Sequence, residues 1–205
     1  MKEDDKSMEF QILEAAENLF LKQGYAKTST GQIAKLAGCN QALVHYYYRT
    51  KDNLFEKVFE EKIGMIASNI LSTGENISNI EERIAQLVSF HFNFLKQNPM
   101  LPQFVLNEIS SNPDRLQSLV DRLKVHMIPV LTQLEAELEK EIEKGTIRPI
   151  LATDLLITIL SLNIMPFLVK PVLQRAFSIP DGNFEEMLEQ RQKEVIETVL
   201  SRLRV

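Results

Sequence analysis

The chain has 205 residues, of which 44% are hydrophobic and 25% are charged, as is typical of a soluble globular protein. Its net charge of −5 argues mildly against nucleic acid as a partner of the chain as a whole. The single cysteine, Cys39, excludes an internal disulfide framework and a zinc site with several cysteine ligands. The polar start, MKEDDKSMEF, is unlike a signal peptide, and the longest uncharged run, residues 155–169, is shorter than the roughly 20 residues of a membrane-spanning helix. We therefore expect a cytoplasmic protein with no membrane partner.

The acidic average hides one cationic segment. From Asn18 to Lys51 there is no Asp or Glu, whereas the remaining residues include all 28 acidic side chains of the chain. The basic residues of the segment are Lys22, Lys27, Lys35, Arg49 and Lys51. A cationic segment in an acidic protein is expected where one module contacts a polyanion. The alternative is a chance fluctuation, so motifs and geometry must decide.

Three helices are predicted at the start of the chain. Apolar residues recur at helical spacing across residues 10–20, and Gly24 suits the end of this first helix. Ser29 followed by Gln32 fits a capping box, which predicts where the second helix begins. Asn40 is a favourable N-cap for the third helix.

The second and third helices predict a helix-turn-helix. Only Gly38 and Cys39 separate them, and Gly38 supplies the positive φ that so tight a turn requires. Ala34 is small enough for the point at which the helices cross. The residues predicted to fill the space between the helices are Ile33, Ala37, Cys39 and Val44. An ordinary helical hairpin is the alternative, but it would not require Ala34, Gly38 and an acid-free third helix together.

The rest of the chain is also predicted to be helical. One helix begins near Lys51, another spans residues 80–97, and a short one spans residues 101–110. A long helix follows Pro113, with a kink at Pro129, and ends before Gly145.

The last two predicted helices carry the longest apolar run of the chain and a single apolar stripe, respectively. The first contains the run from Leu155 and bends at Pro166, and the second begins near Asn183, with Glu186 placed for a capping box. No strand alternation and no internal repeat is visible. The predicted fold class is therefore all-α, with about nine helices in total.

The sequence of residues 24–55 resembles the TetR family of bacterial transcriptional regulators, and reads GYAKTSTGQIAKLAGCNQALVHYYYRTKDNLF. The matching positions are Ile33, Ala34, Ala37, Gly38, Tyr46, Tyr47, Tyr48, Arg49, Lys51, Leu54 and Phe55. The resemblance covers roughly residues 8–60. Two positions depart from the family: His45, where tyrosine is most frequent, and Leu43, where a small or polar residue is common.

The resemblance implies a helix-turn-helix DNA-binding domain at residues 1–52 and a helical ligand-binding and dimerisation domain at residues 53–205. It implies a homodimer that binds pseudo-palindromic double-stranded operator DNA through the first domain. An unidentified small-molecule effector in the second domain would relieve repression. No cofactor, no metal and no enzymatic activity is expected.

The third helix is predicted to enter the major groove of DNA. The predicted DNA-binding residues are Thr30, Gln41, Ala42, Leu43, His45, Tyr46, Tyr47 and Lys51. Gln41 would pair with adenine, Ala42 and Leu43 would contact thymine methyl groups, and His45 would donate to guanine or to a phosphate. Thr30, Tyr46, Tyr47 and Lys51 would hold phosphates. Thr30 would do so together with the positive end of the second helix.

Some of these roles have plain alternatives. Gln41 would otherwise be a solvated helix residue, and Tyr47 suits the protein core as well as a phosphate contact. Tyr48 is predicted to be a core residue.

Residues of the second domain are assigned by their chemistry. The predicted ligand-binding residues are His91, Phe94, Met100, Phe104 and Met127, because soft and aromatic side chains suit a ligand cavity. The predicted dimer-interface residues are Leu160, Phe167, Leu188, Val195, Val199 and Leu203, as part of an intersubunit four-helix bundle. The alternative for both sets is that they belong to the core of the single chain.

The function predicted from these features is a sequence-specific DNA-binding regulator, as a dimeric repressor released by a ligand. The alternative is a helical interaction or sensor module with a degenerate DNA-binding head, in view of the net charge of −5 and of His45. An enzyme is disfavoured because the sequence has no phosphate-binding glycine loop, nucleophile motif or paired-carboxylate metal motif.

Overall fold

A computed structural model describes residues 3–73, 79–111, 113–178 and 180–205. The elements in these ranges are α1 Glu3–Gln23, α2 Thr30–Leu36, α3 Gln41–Tyr48, α4 Lys51–Thr73, α5 Ile80–Gln97, α6 Leu101–Ser111, α7 Pro113–Glu143, α8 Ala152–Ala176 and α9 Asp181–Leu203. An isolated β-bridge between Ile147 and Arg204 is the only extended pairing in the described ranges. The predicted all-α class with about nine helices is confirmed.

Two predicted details of the later helices can be compared with the structure. Helices α7 and α8 continue through Pro129 and Pro166 without interruption. Helix α9 begins at Asp181, immediately after Pro180, and no side chain caps it. The predicted capping box at Asn183 and Glu186 is therefore wrong. Pro180 is the N-cap residue, with a φ of −63°, and its carbonyl accepts the first regular helical hydrogen bond, from the amide of Phe184 at 3.1 Å.

The chain divides into two compact units, which differ from the predicted domains. Unit 1 comprises residues 1–65 and 104–124, and unit 2 comprises residues 66–103 and 125–205. Residues 51–65 of α4 thus belong to unit 1, and its residues 66–73 belong to unit 2. The predicted domain boundary after residue 52 stays a prediction.

Unit 1 has an aromatic core. The ring of Phe20, which is fully buried, lies 5.7 Å from that of Tyr25 and 5.5 Å from that of Phe55. Phe104 completes the cluster with its ring 5.4 Å from Phe55. These rings connect α1, α4 and α6 within the unit. The predicted ligand residue Phe104 is therefore a core residue of unit 1.

Unit 2 has a core formed mainly by α5, α7, α8 and α9. Its largest buried cluster comprises Ile84, Val88, Leu134, Leu138, Ile147, Ala152, Leu155, Ile159, Val195, Val199, Leu200 and Leu203. A second cluster is aromatic and comprises Phe92, Phe94, Leu95, Phe167, Phe184 and Leu188. Burial of these side chains is the main term that stabilises the unit.

These clusters contain most of the residues predicted at the dimer interface. Val195, Val199 and Leu203 are fully buried within the single chain. Phe167 and Leu188 are also buried, and Leu160 is half-buried. Val195, Val199 and Leu203 thus lie in the core of their own unit, as the alternative interpretation expected. The dimer role of Leu160, Phe167 and Leu188 stays a prediction.

Helix α8 instead presents a different apolar face to the surface. Ile157, Met165 and Val172 are spaced about two turns apart and are 54–64% exposed. Among the described residues, α8 is the one helix that is long and apolar enough to cross a membrane by length and composition. Helix α8 therefore packs against α5 and α9 on one side and leaves an apolar face exposed on the other.

Candidate nucleic-acid interface

The starts of α2 and α3 follow from local capping. The Ser29 hydroxyl accepts the amide of Gln32 at 3.2 Å, and the Gln32 side chain accepts the amide of Ser29 at 2.8 Å. Both halves of the predicted capping box are therefore present. The Asn40 side chain accepts the amide of Leu43 at 3.0 Å, which confirms Asn40 as the N-cap of α3.

The turn between α2 and α3 has the predicted geometry. Gly38 has a φ of +70°, a conformation that side-chain-bearing residues rarely adopt. The amide of Cys39 donates to the carbonyl of Ala34 at 2.9 Å, which closes the turn. Ala34 is buried at the crossing, and Ile33 and Val44 fill the space between the helices. Residues 30–48 therefore form the predicted helix-turn-helix.

Helix α3 has two distinct faces. Gln41, Ala42, His45 and Tyr46 are exposed on one side, and Tyr46 is the most exposed at 73%. On the other side Val44 and Tyr48 are buried, and Leu43 and Tyr47 are half-buried along the edge.

Tyr48 is confirmed as a core residue. Its hydroxyl donates to the carbonyl of Glu9 at 3.1 Å, which joins α3 to α1. Burial, followed by the nearby Glu9 carboxylate, raises the pKa of Tyr48 above its ordinary value. The ring of Tyr47 packs edge-on against that of Tyr46, with centroids 5.2 Å apart, so the two rings form one continuous aromatic surface.

Two of the predicted DNA-binding residues lie in direct contact. The Gln41 amide nitrogen donates to the Thr30 hydroxyl at 2.8 Å, across the gap between α3 and α2. Gln41 is exposed and is the first residue of α3, while Thr30 is the first residue of α2. The two helix N-termini therefore lie side by side, and Thr30 positions the side chain of Gln41.

His45 is held by the end of its own helix. Its Nδ1 lies 3.0 Å from the carbonyl oxygen of Arg49, and because a carbonyl only accepts, Nδ1 must carry the hydrogen. In the neutral ring Nε2 is then an acceptor. The predicted donation from His45 to guanine or to phosphate therefore requires the imidazolium form, whereas the neutral form would accept from an exocyclic amino group.

Arg49 ends α3 in a strained conformation. Its φ of 64° and ψ of −52° form a γ-turn, closed by a hydrogen bond of 2.7 Å from the amide of Thr50 to the carbonyl of Tyr48. A non-glycine residue in this region stores strain that the surrounding structure must offset. The turn directs the chain from α3 into α4 within two residues.

Lys51 is bound within unit 1. Its ammonium group donates to the carbonyls of Tyr25 at 3.0 Å and Thr28 at 2.8 Å, and lies 3.9 Å from the centre of the Tyr25 ring. The Tyr25 hydroxyl donates to Asp52 at 2.8 Å. Lys51 thus ties the loop between α1 and α2 to the start of α4, a structural role that the sequence analysis missed. Its predicted phosphate contact stays a prediction.

The exposed face of the helix-turn-helix has no acidic residue on α2 or α3. Lys22, Lys27, Lys35 and Arg49 are exposed around it. A duplex carries a dense negative charge on its phosphates, so a surface with cations and without carboxylates is electrostatically suited to it.

The predicted ligand residues of unit 2 lie in different environments, and their ligand role stays a prediction. Met100 is 52% exposed, Met127 packs beside Ala67 and Val130, and Phe94 belongs to the aromatic cluster of unit 2. His91 is buried, and burial lowers its pKa to about 4. Its neighbour is Asn163, which sequence reasoning did not select, although an amide inside the apolar run of residues 155–169 was a visible signal.

Two models of known protein families match this chain, one near its N-terminus and one in its C-terminal part. The family model described as bacterial regulatory proteins, tetR family, matches residues 12–58. A second model, described as a tetracyclin repressor-like C-terminal domain, matches residues 81–199.

Individual relatives agree with these matches. The chain is 26% identical over 139 residues to the fatty acid metabolism regulator protein of Bacillus subtilis, covering 67% of this chain and 70% of that protein. It is 42% identical over 48 residues to the transcriptional regulator QacR of Staphylococcus aureus, covering 23% of this chain and 26% of that one.

Solved structures share the fold. The regulator FadR from Bacillus subtilis, solved in complex with stearoyl-CoA, matches with a TM-score of 0.73 and 21% identity over 94% of this chain and 98% of that one. A TetR regulator from Haloarcula marismortui matches with a TM-score of 0.73 and 22% identity over 97% of this chain and 100% of that one. The helix-turn-helix, the helical unit 2 and the two family models together assign this chain to the tetR family of bacterial DNA-binding transcriptional regulators.

Proposed function

We propose that the chain is a dimeric repressor that binds a pseudo-palindromic operator through α3 and leaves it when a small molecule binds in unit 2. The observation that carries this proposal is the exposed row of Gln41, Ala42, His45 and Tyr46 on a helix-turn-helix without carboxylates. A helix with such a row fits the major groove, which is about 12 Å wide.

The proposed division of roles on α3 follows from exposure and position. Gln41 and Ala42, at the N-terminus of the helix, are nearest the base edges and specify the sequence. The half-buried Leu43 contacts DNA only along its outer edge. Tyr46 and Tyr47 hold phosphates and position the dimer. Thr30 has two proposed roles: its hydroxyl positions the Gln41 side chain, and it holds a phosphate at the positive N-terminal end of α2.

Replacing Gln41 with alanine should weaken the best operator by about 1–3 kcal/mol and relax selectivity at a single base pair. The operator is first selected from a random DNA library, and binding of all single-base variants is then titrated at fixed salt. Gln190→Ala, an exposed glutamine of α9, is the matched control and should leave every affinity unchanged. An equal loss of affinity for every operator variant would contradict the base-reading role.

The library also tests the proposed function itself. Enrichment of a short sequence with inverted symmetry supports a dimeric operator-binding protein. If no sequence is enriched even at low salt, where phosphate contacts are strongest, the proposal fails and the degenerate-head alternative is favoured.

We place the proposed dimer contact on the exposed face of α8. Ile157, Met165 and Val172 lie on one side of this helix, so a two-fold axis would bring the same face of two copies together. Half-sites on a duplex lie about one helical turn apart, so only a dimer engages both. Phosphate contacts from two protomers also make binding steeply dependent on salt.

Replacing Met165 with glutamate should convert the dimer into a monomer, because paired carboxylates would be buried against an apolar face. Sedimentation velocity at micromolar concentration measures the change. Val125→Glu is the matched control, since Val125 is 71% exposed on α7, outside this face. A wild-type protein that sediments as a monomer would exclude the dimer.

Small-molecule release is supported by the fold relative FadR, which was solved with stearoyl-CoA. We propose that unit 2 holds the effector, because its core between α5 and α8 contains polar side chains among apolar ones.

A further inference from the structure

One polar cluster lies inside unit 2, where α5 packs against α8. Asn163 of α8 is fully buried, and its amide nitrogen lies 3.1 Å from the Val88 carbonyl oxygen and 3.1 Å from Nδ1 of His91. The amide oxygen of Asn163 is buried and accepts no hydrogen bond from the described residues.

The Val88 carbonyl fixes the orientation of this amide. A carbonyl only accepts, so the atom of Asn163 that faces it must be the nitrogen, and the reversed amide would place two acceptors together. The two hydrogens of the nitrogen are then used by Val88 and by His91. The oxygen is left as an acceptor whose orientation the protein has set.

The residues one turn away from Asn163 and from His91 along their own helices are apolar and neutral. Ile159 and Phe167, one turn to either side on α8, are both buried. On α5 the neighbours one turn from His91 are Leu87 and Leu95, which are also buried. A buried acceptor without a donor is costly and uncommon in folded proteins. A charged donor would be buried here without a counter-ion, so a neutral donor is the suitable partner.

We propose that Asn163 is the polar anchor of the effector site, and that it takes the neutral hydroxyl group of an otherwise apolar ligand. The ligand hydroxyl donates to the amide oxygen of Asn163, and its hydrocarbon part lies among the apolar side chains of α5 and α8. His91 is a positioning residue that holds the amide by accepting its second hydrogen. This inference rests on the proposed effector function of unit 2 and adds the chemical class of the ligand.

The anchor discriminates between head groups of the same chain length. An alcohol can donate to the amide oxygen, whereas its methyl ether cannot. A carboxylate has only acceptor oxygens, which the amide oxygen would repel. Three probes, 1-decanol, decyl methyl ether and decanoate, therefore separate donation from simple apolar burial.

The experiment measures binding of the three probes to the full-length protein by calorimetry and by the shift in Tm. The wild-type protein should bind the alcohol about tenfold more tightly than the ether, the ratio that one hydrogen bond gives, and decanoate most weakly. In Asn163→Leu the preference for the alcohol should disappear. Asn93→Leu, on an exposed asparagine of α5, is the matched control and should keep the preference.

Each other outcome overturns the inference. Equal binding of alcohol and ether by the wild-type protein excludes the anchor, and this comparison decides even if Asn163→Leu does not fold. A preference that survives in Asn163→Leu would show that the hydroxyl donates to a different acceptor of the protein. If no probe binds up to its solubility, the amide oxygen serves a buried water molecule.

The proposed function is measured separately on the same proteins. Selective operator binding by wild type and by Asn163→Leu supports the regulator function whatever the probes do. A wild-type protein that selects no DNA sequence rejects the regulator function even if the alcohol binds.

Discussion

Replacing Glu137 with alanine should destabilise unit 2 by about 3 kcal/mol, because it leaves a buried guanidinium group without its carboxylate. Arg83 is 4% exposed, and its Nε lies 3.3 Å from Glu137. Its Nη1 donates to the carbonyl of Ile70 at 2.9 Å. An arginine cannot lose its proton to escape the cost of burial, so the free energy of unfolding must fall.

Urea unfolding measures this effect as a lower midpoint with an unchanged slope. Glu139→Ala is the matched control on the same helix, since Glu139 is exposed and its removal should change stability by less than about 0.5 kcal/mol. Equal effects of the two substitutions would show that the buried arginine does not depend on Glu137.

The same substitution should loosen the end of α4. The last turn of this helix has no basic residue of its own, and Ile70 lies in it. Arg83 supplies the cation that this C-terminal turn favours and satisfies one of its carbonyls. Hydrogen exchange in residues 66–73 should therefore rise in Glu137→Ala and stay unchanged in Glu139→Ala.

The helix-turn-helix could be predicted from the sequence because its determinants are local. A capping box involves residues three apart, and the conformation of Gly38 is a property of one residue and its turn. The exposed and buried faces of α3 follow from the helical repeat alone. These signals need no knowledge of the rest of the chain.

The interior of unit 2 could not be predicted in the same way. The apolar stripe of Val195, Val199 and Leu203 predicts that one face of α9 is buried, but not whether its own chain or a second copy buries it. The structure places that stripe in the core of unit 2 and leaves the outer face of α8 exposed.

Lys51 and Asn163 show a second limit of prediction from the sequence. A lysine beside a DNA-binding helix suggests a phosphate, yet the Lys51 ammonium binds two carbonyls of its own unit. An asparagine in an apolar run could face solvent, a partner or the core. Long-range packing decides the contacts of both residues, and a local sequence pattern carries no information about that packing.

Lowering the pH from 7 to 4 should remove up to about 3 kcal/mol of stability through His91 alone. Burial lowers the pKa of His91 from 6.5 to about 4, so between these values the unfolded chain binds the proton and the folded chain does not. The contribution of neutral His91 is thus fully present above about pH 6.5 and is lost as the pH falls towards 4.

His91→Gln isolates this contribution from carboxylates, which titrate in both proteins at the acidic end of the range. A glutamine oxygen can accept the Asn163 amide in place of Nδ1, so the variant keeps a partner for Asn163 without a titrating group. The difference in unfolding free energy between wild type and variant should change by about 3 kcal/mol from pH 7 to pH 4. If the unfolding free energies of the two proteins changed with pH by the same amount, the prediction would be contradicted.

Protonation of His91 would also act on its neighbour. The imidazolium ring carries hydrogens on both nitrogens, so Nδ1 could no longer accept from Asn163, and two donors would face each other at 3.1 Å. The amide would lose the bond that, with Val88, sets its orientation. The loss of stability and the loss of order at Asn163 should therefore follow the same pH curve, which amide-proton NMR of the Asn163 side chain can measure against the unfolding data.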